Sequence, residues 1–561
     1  MVQSSVPADI ILLHGKMISV DESNSTHEAV AIRGENIQAV GKNSEISDLA
    51  GPHTHPIDLQ GRTVIPGIID IHAHLDREGL KGIYPSLEGA HSIPEILSVI
   101  KREVDSKEPG EWVVTMPIGD PPNYVDMPQS LQEGRWPSRR DLDEVSPNNP
   151  VYIKGIWTPW NVPPSVSIAN SLALRMANID RNTAAPDSSV IIERDELGEP
   201  TGIFIDGNRY PTVEFTLMRA VPRFSADQRV AALKESMKAY NSVGTTGIYE
   251  GHGVAPEVQR AYKTVWAAGD MTVRANLVYS PSWISLAEAE REIENWGHSL
   301  SGLGFGDSRL KHAGIYLQYG GDEYVARARS SELPFTGWAG FAESCNSDQE
   351  FLELALLAAR HDIRVNTLVR GILDEVLDAF ERVHLEVPID QKRWVINHVL
   401  HTTPDQERRT RRLGLVVETI PLTELWLRGN SFLDDTRLAN CAVAHRSYLE
   451  QGIHFGFGTD NKPYSPFVTF WSAVTRIERQ TNTVLGPEQR LSRLEALRVL
   501  TIGGAYFSFE EDFRGSVEPG KLADMAVLSK DILTVPDEEI PTIESVMTLV
   551  GGEVVYRTDD V

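Results

Sequence analysis

The chain has 561 residues, with 79 Asp or Glu against 53 Lys or Arg, and its formal net charge is −26. This acid surplus argues against a nucleic-acid-binding protein, because most of the surface would repel phosphate. The composition, 41% hydrophobic and 24% charged, is that of a globular protein, and at roughly 100–200 residues per domain the length predicts about three domains or one large barrel with additions.

Cysteine content and apolar runs bear on the cellular compartment. Cys345 and Cys441 are too few for a disulfide framework, which is typical of a reducing compartment. Residues Met1–Leu13 lack a basic segment followed by a long apolar run, and no stretch approaches about 18 uninterrupted apolar residues. We therefore expect a soluble, cytoplasmic protein with neither a nucleic-acid nor a membrane partner.

Both ends of the chain show a sequence pattern that predicts short strands. In the first 60 residues, apolar runs such as Ile10–Leu13 and Ala29–Ile32 alternate with turn-forming residues, which predicts a small antiparallel sheet. Residues 523–528 and 546–550 follow the same pattern.

Between these ends, apolar strand-like runs alternate with helical patterns, as in α/β proteins. Roughly eight alternations predict a (β/α)₈ TIM barrel, in which catalytic groups lie at the carboxyl ends of the strands. The strand candidates are Val64–Ile71, Gly247–Tyr249, Val273–Val278, Leu310–Leu317, Ile363–Thr367, Trp394–Asn397, Val416–Thr419 and His454–Gly458. The helical patterns include Ala226–Val243, Asp348–His361, Ile372–Val383 and Ser492–Ile502.

A stretch at about 84–221 interrupts the alternation. It is rich in Pro and Trp and too long for a simple loop in a compact domain. We expect it to form an inserted lid or subdomain over the barrel mouth.

The first predicted barrel strand ends in two histidines. His72 and His74 are two positions apart, and residues i and i+2 of an extended strand point to the same side. Two imidazoles directed at one point are a candidate metal site. The structural alternative is a pair of polar residues at a strand terminus.

Two later predicted strands also end on polar side chains. Asp460 follows the run Phe455–Gly458, where a buried carboxylate would need a cation or hydrogen-bond donors, although an Asx turn is the alternative. His398 follows Val395–Asn397 and could instead be a structural partner. Together with the histidine pair, these residues favour one site at the barrel mouth.

Taken together, the motifs resemble the metal-dependent amidohydrolase superfamily, in particular its N-substituted formamide deformylase-like branch. The segments VIPGIIDIHAHL, INHVLH and FGFGTDNKPYSP are similar to the family's first-, sixth- and eighth-strand motifs, and the tail GSVEPGKLADMAVL resembles the segment that completes a small β-sandwich. The resemblance implies a sandwich from residues 1–64 and 512–561, and a barrel over 65–511 with the insertion at about 84–221.

The resemblance also implies one or two divalent ions, commonly zinc, and an activated water that attacks a C–N bond. His72, His74, His398 and Asp460 would be the ligands, with Asp460 also the proton shuttle and His398 also catalytic. Lys311 falls where some branches carry a carboxylated lysine that bridges two metals. Members of the family often form homodimers or larger homo-oligomers.

Two departures from the family pattern stand out. Asn366 occupies the position of the usual fifth-strand histidine, and an amide is a poor zinc ligand compared with imidazole. This predicts a single ion, or an altered site that uses His401 or His312. Residues Pro163–Ser165 stand where the family often shows a histidine, which predicts a different substrate pocket.

Several residues are candidates for contact with the substrate. Trp157, Trp160 and Tyr124 are predicted to frame the pocket, although aromatic residues pack more often in cores. Arg370 is a possible carboxylate anchor. The remaining candidates are Asn366 and Glu250, of which Glu250 ends the predicted strand Gly247–Tyr249 and could line the site or pair with a cation.

The leading hypothesis is a metal-dependent hydrolase that cleaves an amide, formamide or cyclic amide of a small organic molecule. Two alternatives stay open. The same scaffold could catalyse decarboxylation or cleave an ester, a lactone or a C–C bond, or the protein could bind a ligand without catalysis.

Overall fold

The computed structural model describes residues 6–121, 124–155, 164–207, 212–281, 283, 285–321 and 344–559. The described residues divide into two compact units, one of residues 6–75, 234–321 and 344–559 and the other within 76–233. Each unit has its own sheets and its own buried apolar clusters.

Parallel strands in sequential order form the main sheet of the first unit. Within the described ranges, its eight parallel members are β1 Ile68–Asp70, β2 Thr245–Val254, β3 Arg274–Tyr279, β4 Leu310–Tyr316, β5 Val365–Leu368, β6 Val395–Asn397, β7 Val416–Thr419 and β8 Phe455–Phe457. The backbone N–H of Ile71 donates to the carbonyl of Phe457 at 3.3 Å, so the sheet nearly closes between β1 and β8. The predicted (β/α)₈ barrel is confirmed.

Apolar side chains fill the barrel on both sides of the sheet, because parallel strands are buried on both faces. Ile69, Tyr249, Val395 and Val416 belong to the cluster inside the barrel. A larger cluster joins the outer face to the helices.

Helices follow the strands around this sheet. The longer ones in this part of the chain are Ala226–Asn241, Pro256–Ala267, Leu286–Trp296, Asp348–Arg360, Leu373–Glu386, Pro404–Arg412, His445–Gln451 and Pro466–Thr475. Shorter helical segments are Asn43–Ser47, Leu422–Leu427, Gly429–Phe432, Thr436–Cys441, Arg493–Arg498, Val499–Gly503 and Gly504–Phe507. Local sequence determines several of these boundaries: Ser347 and Glu350 form a capping box at the start of Asp348–Arg360.

Both ends of the described chain contribute to two further sheets of the first unit. One holds, in spatial order, Asn36–Gly41, Ala29–Arg33, Ile10–Leu13 and His55–Asp58. The other holds Glu553–Arg557, Ser545–Val550, Met525–Leu528, Thr63–Pro66, Lys16–Ile18 and Thr26–His27. Leu12 and Val30 of one sheet share a buried cluster with Val64 and Met525 of the other.

A buried ion pair joins the second of these sheets to the barrel. Arg274 at the start of β3 donates to both carboxylate oxygens of Asp524, at 2.8 and 3.1 Å. Asp524 also accepts the backbone N–H of Gly551 at 2.7 Å. The pair is almost completely buried, so removing either residue would leave the other as an uncompensated buried charge.

The second unit is built on a mixed sheet. In the ranges that the structure describes, the spatial order of its strands is Val190–Arg194, Pro200–Asp206, Ser165–Ala169, Val151–Ile153 and Val113–Thr115. Its helices are Ile93–Asp105, Arg139–Val145, Ser171–Met176 and Thr212–Phe215. Asn170 caps one of them, since its side chain accepts the backbone N–H groups of Val151 and Ala173, both at 2.9 Å.

Helix length and polarity also bear on membrane insertion. Among the described residues, no helix combines the length and the apolar character needed to cross a bilayer.

Candidate metal centre

Four predicted ligands meet beyond the carboxyl ends of the barrel strands. His72 and His74 follow β1, His398 follows β6 and Asp460 follows β8, and all four side chains are buried. The Nε2 atoms of His72 and His74 are 3.1 Å apart. Asp460 Oδ1 lies 3.3 Å from His74 Nε2 and 3.9 Å from His72 Nε2, and Asp460 Oδ2 lies 4.0 Å from His398 Nε2. These donor atoms surround one small volume.

Asp70 anchors the loop after β8 to β1. Its Oδ1 accepts the backbone N–H groups of His72 and Thr459 at 3.1 and 3.0 Å, and its Oδ2 accepts the Thr459 hydroxyl at 2.5 Å. The backbone N–H of Asp460 donates to the carbonyl of His72 at 2.7 Å. These bonds hold Asp460 beside the histidine pair.

A buried glutamate lies behind each of the three histidines. The pairs, with the distance from carboxylate oxygen to Nδ1, are Glu418–His72 at 3.5 Å, Glu250–His74 at 3.6 Å and Glu424–His398 at 3.7 Å. A carboxylate facing Nδ1 favours the tautomer that carries its proton there. The Nε2 lone pairs are then left for the shared volume.

Three of the four donor residues have a left-handed backbone. The φ angles of His74, His398 and Asp460 are 48°, 58° and 55°. Non-glycine residues avoid this region, so the conformation needs support from the surrounding structure. Glu418 Oε2 provides part of that support, because it accepts the backbone N–H of His398 at 2.6 Å.

The charges around the cluster favour an ionised Asp460. Burial raises the pKa of Asp460, but the charges of Lys462, His72 and His74 outweigh burial and hold that pKa well below its ordinary value. Lys462 forms a buried ion pair with Asp460. Burial also lowers the pKa of His398, against the opposing charge of Glu418, which favours a neutral imidazole.

Glu424 is tied to a cation as well as to His398. Burial raises the pKa of Glu424, but the Arg370 charge and the contact with His398 bring it down to about 2. Arg370 Nη2 donates to Glu424 Oε1. The side chain of Arg370 is 29% exposed, so solvent reaches it despite the ion pair.

His252 on β2 joins the cluster, although the motifs did not predict it. Its ring centroid lies 5.8 Å from that of His72 and 5.7 Å from that of His74. The signal that could have found it is its spacing, two positions after Glu250, which is the same rule that singled out His72 and His74. Glu418, Glu424 and Lys462 were missed too.

The donor set fits a divalent ion. Among the described residues, two groups of donor atoms lie within 4.8 Å of one another: His72, His74 and His252, and His72, His398 and Asp460. With protons on Nδ1, the Nε2 lone pairs of His72 and His74 would face each other at 3.1 Å beside a carboxylate, an arrangement that a cation between them stabilises. Imidazole and carboxylate are ligands that Zn²⁺ takes.

Lys311 is engaged near the amino end of its strand, and its role as a carboxylated metal ligand stays a prediction. It is the second residue of β4 and its Nζ donates to Glu510 Oε1 at 2.9 Å. The donors lie beyond the carboxyl ends of the strands, whereas Lys311 lies near the amino end of its own. At the carboxyl end of β4 stands Tyr316, whose ring centroid is 4.7 Å from that of His252.

Asn366 lies inside the barrel and is engaged with a neighbouring strand. Its Oδ1 accepts the Tyr249 hydroxyl at 2.7 Å, and its Nδ2 donates to the carbonyl of Ile315 at 3.4 Å. Neither donor group within the described residues contains His401 or His312.

The other residues predicted to contact the substrate do not form a single group. Glu250 is part of the centre, because it faces His74 and accepts the backbone N–H of Leu75 at 2.9 Å. Tyr124 is buried within the second unit. Trp157 and Trp160 lie outside the described residues.

Comparison with known proteins covers nearly the whole chain. A model described as "Amidohydrolase family" matches residues 56–556. An N-substituted formamide deformylase of Arthrobacter pascens is 27% identical over 98% of this chain and 98% of its own. The protein LONG AFTER FAR-RED 3 of Arabidopsis thaliana is 25% identical over 99% of this chain and 92% of its own. The crystal structure of an uncharacterized metal-dependent hydrolase from Pyrococcus horikoshii OT3 has the same fold, with a TM-score of 0.67, 21% identity and coverage of 94% of this chain and 99% of its own.

Proposed function

Because the chain belongs to the amidohydrolase family, we propose that it is a metal-dependent hydrolase that cleaves an amide-like C–N bond of a small organic molecule. The observation that carries the proposal is the convergence of His72, His74, His398 and Asp460 beyond the ends of three barrel strands. Barrels of this kind have their active sites at that face.

We propose one divalent ion, zinc, with His72, His74 and Asp460 as ligands. Three protein ligands with an open position are typical of catalytic zinc sites. When bound, such an ion supplies an activated water and polarises the carbonyl of the substrate. A ligand role for His398 stays a prediction.

Asp460 is the proton carrier in this proposal. Its ion pair with Lys462 keeps the carboxylate charged and able to accept a proton from the attacking water. The same carboxyl group then delivers the proton to the leaving nitrogen. His398 Nε2, 4.0 Å from Asp460 Oδ2, is the second catalytic group, and the lone pair of its neutral imidazole accepts a hydrogen bond from the attacking water.

The three glutamates are positioning residues. Each faces the Nδ1 of one histidine, so each holds a ring orientation and a tautomer. Glu424 links His398 to Arg370 and therefore couples the catalytic histidine to the candidate substrate anchor.

We further propose that the substrate carries a carboxylate. Arg370 is accessible next to Glu424, and Arg428 follows the helical segment that contains Glu424. Cations gathered at one face of a site favour an anionic ligand.

The other expectations from the sequence stay proposals. These are a homo-oligomeric assembly, a cytoplasmic location, a sandwich of residues 1–64 and 512–561, and a specificity-determining insertion at about 84–221 of a barrel over 65–511. Gel filtration with light scattering tests the first of them.

Metal analysis and product analysis of the purified protein test the function. We expect a bound divalent ion, loss of activity with a chelator, recovery with Zn²⁺, and release of an amine from N-formyl amines or amides. Protein without a bound ion, and with activity indifferent to chelation, would refute the proposal. A product formed without amine or ammonia release would favour other metal-assisted chemistry on the same scaffold.

A further inference from the structure

We propose that His252 is a fourth protein ligand of the divalent ion. It would take the place of the histidine ligand expected on the fifth barrel strand, where this chain has Asn366. This inference rests on the proposed function and deepens it. It starts from the position of His252, whose donor nitrogen lies within 4.8 Å of those of His72 and His74.

The backbone of β2 is shaped to bring His252 to this position. Pairing between β2 and β3 is regular up to Glu250 and resumes only at Val254, so the strand is irregular where His252 stands. Such irregularities occur next to active sites, where they redirect a side chain. His252 therefore points toward the histidine pair through a local distortion of the strand.

Glycines on both sides of His252 permit the distortion. A Cβ at Gly251 would lie 3.0 Å from Asn397 Oδ1. Gly253 has a φ of +81°, and a Cβ there would lie 2.9 Å from the Cβ atoms of both Ser280 and Tyr316. Neither position has room for a side chain without movement of its neighbours, so the close packing around His252 depends on this Gly-His-Gly sequence.

The ring of His252 is fixed as well as directed. Tyr316, at the end of β4, packs against it with ring planes 59° apart and centroids 4.7 Å apart. A ligand held by packing needs little further ordering when the ion binds.

The fifth strand offers no competing nitrogen ligand. Asn366 is turned toward Tyr249 and the carbonyl of Ile315, so its amide is already used within the barrel. Imidazole is also a better zinc ligand than an amide. With His252 bound, His72, His74, Asp460 and His252 would hold the ion and the attacking water would need a fifth position, which catalytic zinc can provide. His398 is left for the substrate.

A His252→Asn variant tests the assignment through metal affinity. Zn²⁺ binding to metal-free protein is measured by competition with a chromophoric chelator, and the visible spectrum of the Co²⁺ form reports the coordination. We expect at least about a tenfold loss of affinity, because loss of even an outer-shell partner of a ligand costs about 10–100-fold. The matched control is His312→Asn on β4, which should bind as the wild type does.

A crystal structure of the zinc-loaded wild-type protein provides a test that needs no variant. A His252 nitrogen about 2.1 Å from the ion would support the proposal. An ion bound by His398 with His252 outside bonding distance would overturn it, as would unchanged affinity and an unchanged Co²⁺ spectrum in a folded variant. Both of these results leave the proposed hydrolase function intact, whereas wild-type protein that binds no ion refutes the function itself.

Discussion

One carboxylate oxygen of Glu250 serves His74 twice: it lies 3.6 Å from the imidazole Nδ1 and accepts the backbone N–H of the same residue at 3.1 Å. The ring and the left-handed backbone of His74 are therefore held by a single atom. Because Glu250 is on β2 and His74 follows β1, the contact also fixes one strand end against the next.

Replacing this glutamate should weaken metal binding more than folding. In Glu250→Gln the amide keeps the size but loses the negative charge that favours the Nδ1 proton, so we expect Zn²⁺ affinity to fall about 10–100-fold. Chelator competition measures the affinity, and circular dichroism checks the fold. The matched control is Glu407→Gln, another buried glutamate, which bonds to Thr402 and Gln451 outside the centre. Equal affinities in both variants would contradict the positioning role.

Asp460→Asn should retain the fold and lose most of the turnover. The amide keeps the volume of the side chain but cannot accept the proton, and general acid–base catalysis typically contributes about 10²–10⁴-fold. We expect kcat to fall by at least about 100-fold when the variant is assayed with saturating Zn²⁺. A nearly normal kcat would show that another group carries the proton.

Arg370→Gln should discriminate between charged and neutral substrates. If Arg370 binds a carboxylate, the variant should lose about tenfold or more in kcat/KM on an N-formyl amino acid, because a charge-assisted bond contributes about 1.5–3 kcal/mol. The matching N-formyl amine without the carboxylate should change much less. Arg360→Gln, whose partner is Glu386 on the surface, is the control. An equal loss on both substrates would assign Arg370 to positioning Glu424 alone.

Acid should destabilise the barrel through His445. Burial, assisted by the Arg476 charge, holds the pKa of His445 well below its ordinary value of 6.5, so the folded protein keeps this ring neutral. The unfolded chain binds a proton there below about pH 6.5 and the folded one does not, so stability is lost as the pH falls, by up to about 1.4 kcal/mol per unit from this group. Urea unfolding at pH 7.5 and 5.5 measures the loss. In His445→Gln the free energy of unfolding should depend less on pH by that amount. An unchanged slope of this free energy against pH would show that His445 is not the group responsible.

Asp524→Ala should destabilise the protein strongly, although it lies outside the candidate centre. The substitution leaves the buried Arg274 guanidinium without its carboxylate, and breaking a buried pair typically costs about 3–5 kcal/mol. Thermal or urea unfolding measures the loss. The exposed pair of Lys238 and Glu235 is a suitable control, since Glu235→Ala should change stability by less than about 1 kcal/mol.

The fold was predictable because of how barrels are built. Strands buried on both faces appear as uninterrupted apolar runs, and a side chain that follows such a run lies at the mouth of the barrel. That rule singled out His72, His74, His398 and Asp460 as candidates, and the family resemblance implied their role as ligands.

Other parts of the centre left no comparable signal. Glu418 and Glu424 are single acids among apolar neighbours, and only their spatial relation to a histidine gives them a role. The role of Lys311 came from the family resemblance, although the predicted strand Leu310–Leu317 already places this residue near the amino end. His252 lies where its strand is irregular, and its spacing of two positions from Glu250 was the one signal that could have indicated it.

The strand Thr63–Pro66 pairs with Met525–Leu528 and leads directly into β1. On the ribosome, the segment before His72 and His74 is therefore made long before its neighbour in the sheet emerges. Until then one edge of this apolar strand keeps unpaired backbone groups, which can pair with another chain and lead to aggregation unless chaperones cover them. His72 and His74 can meet Asp460 only after the chain between them has been made, so the arrangement of these donors follows the synthesis of most of the barrel.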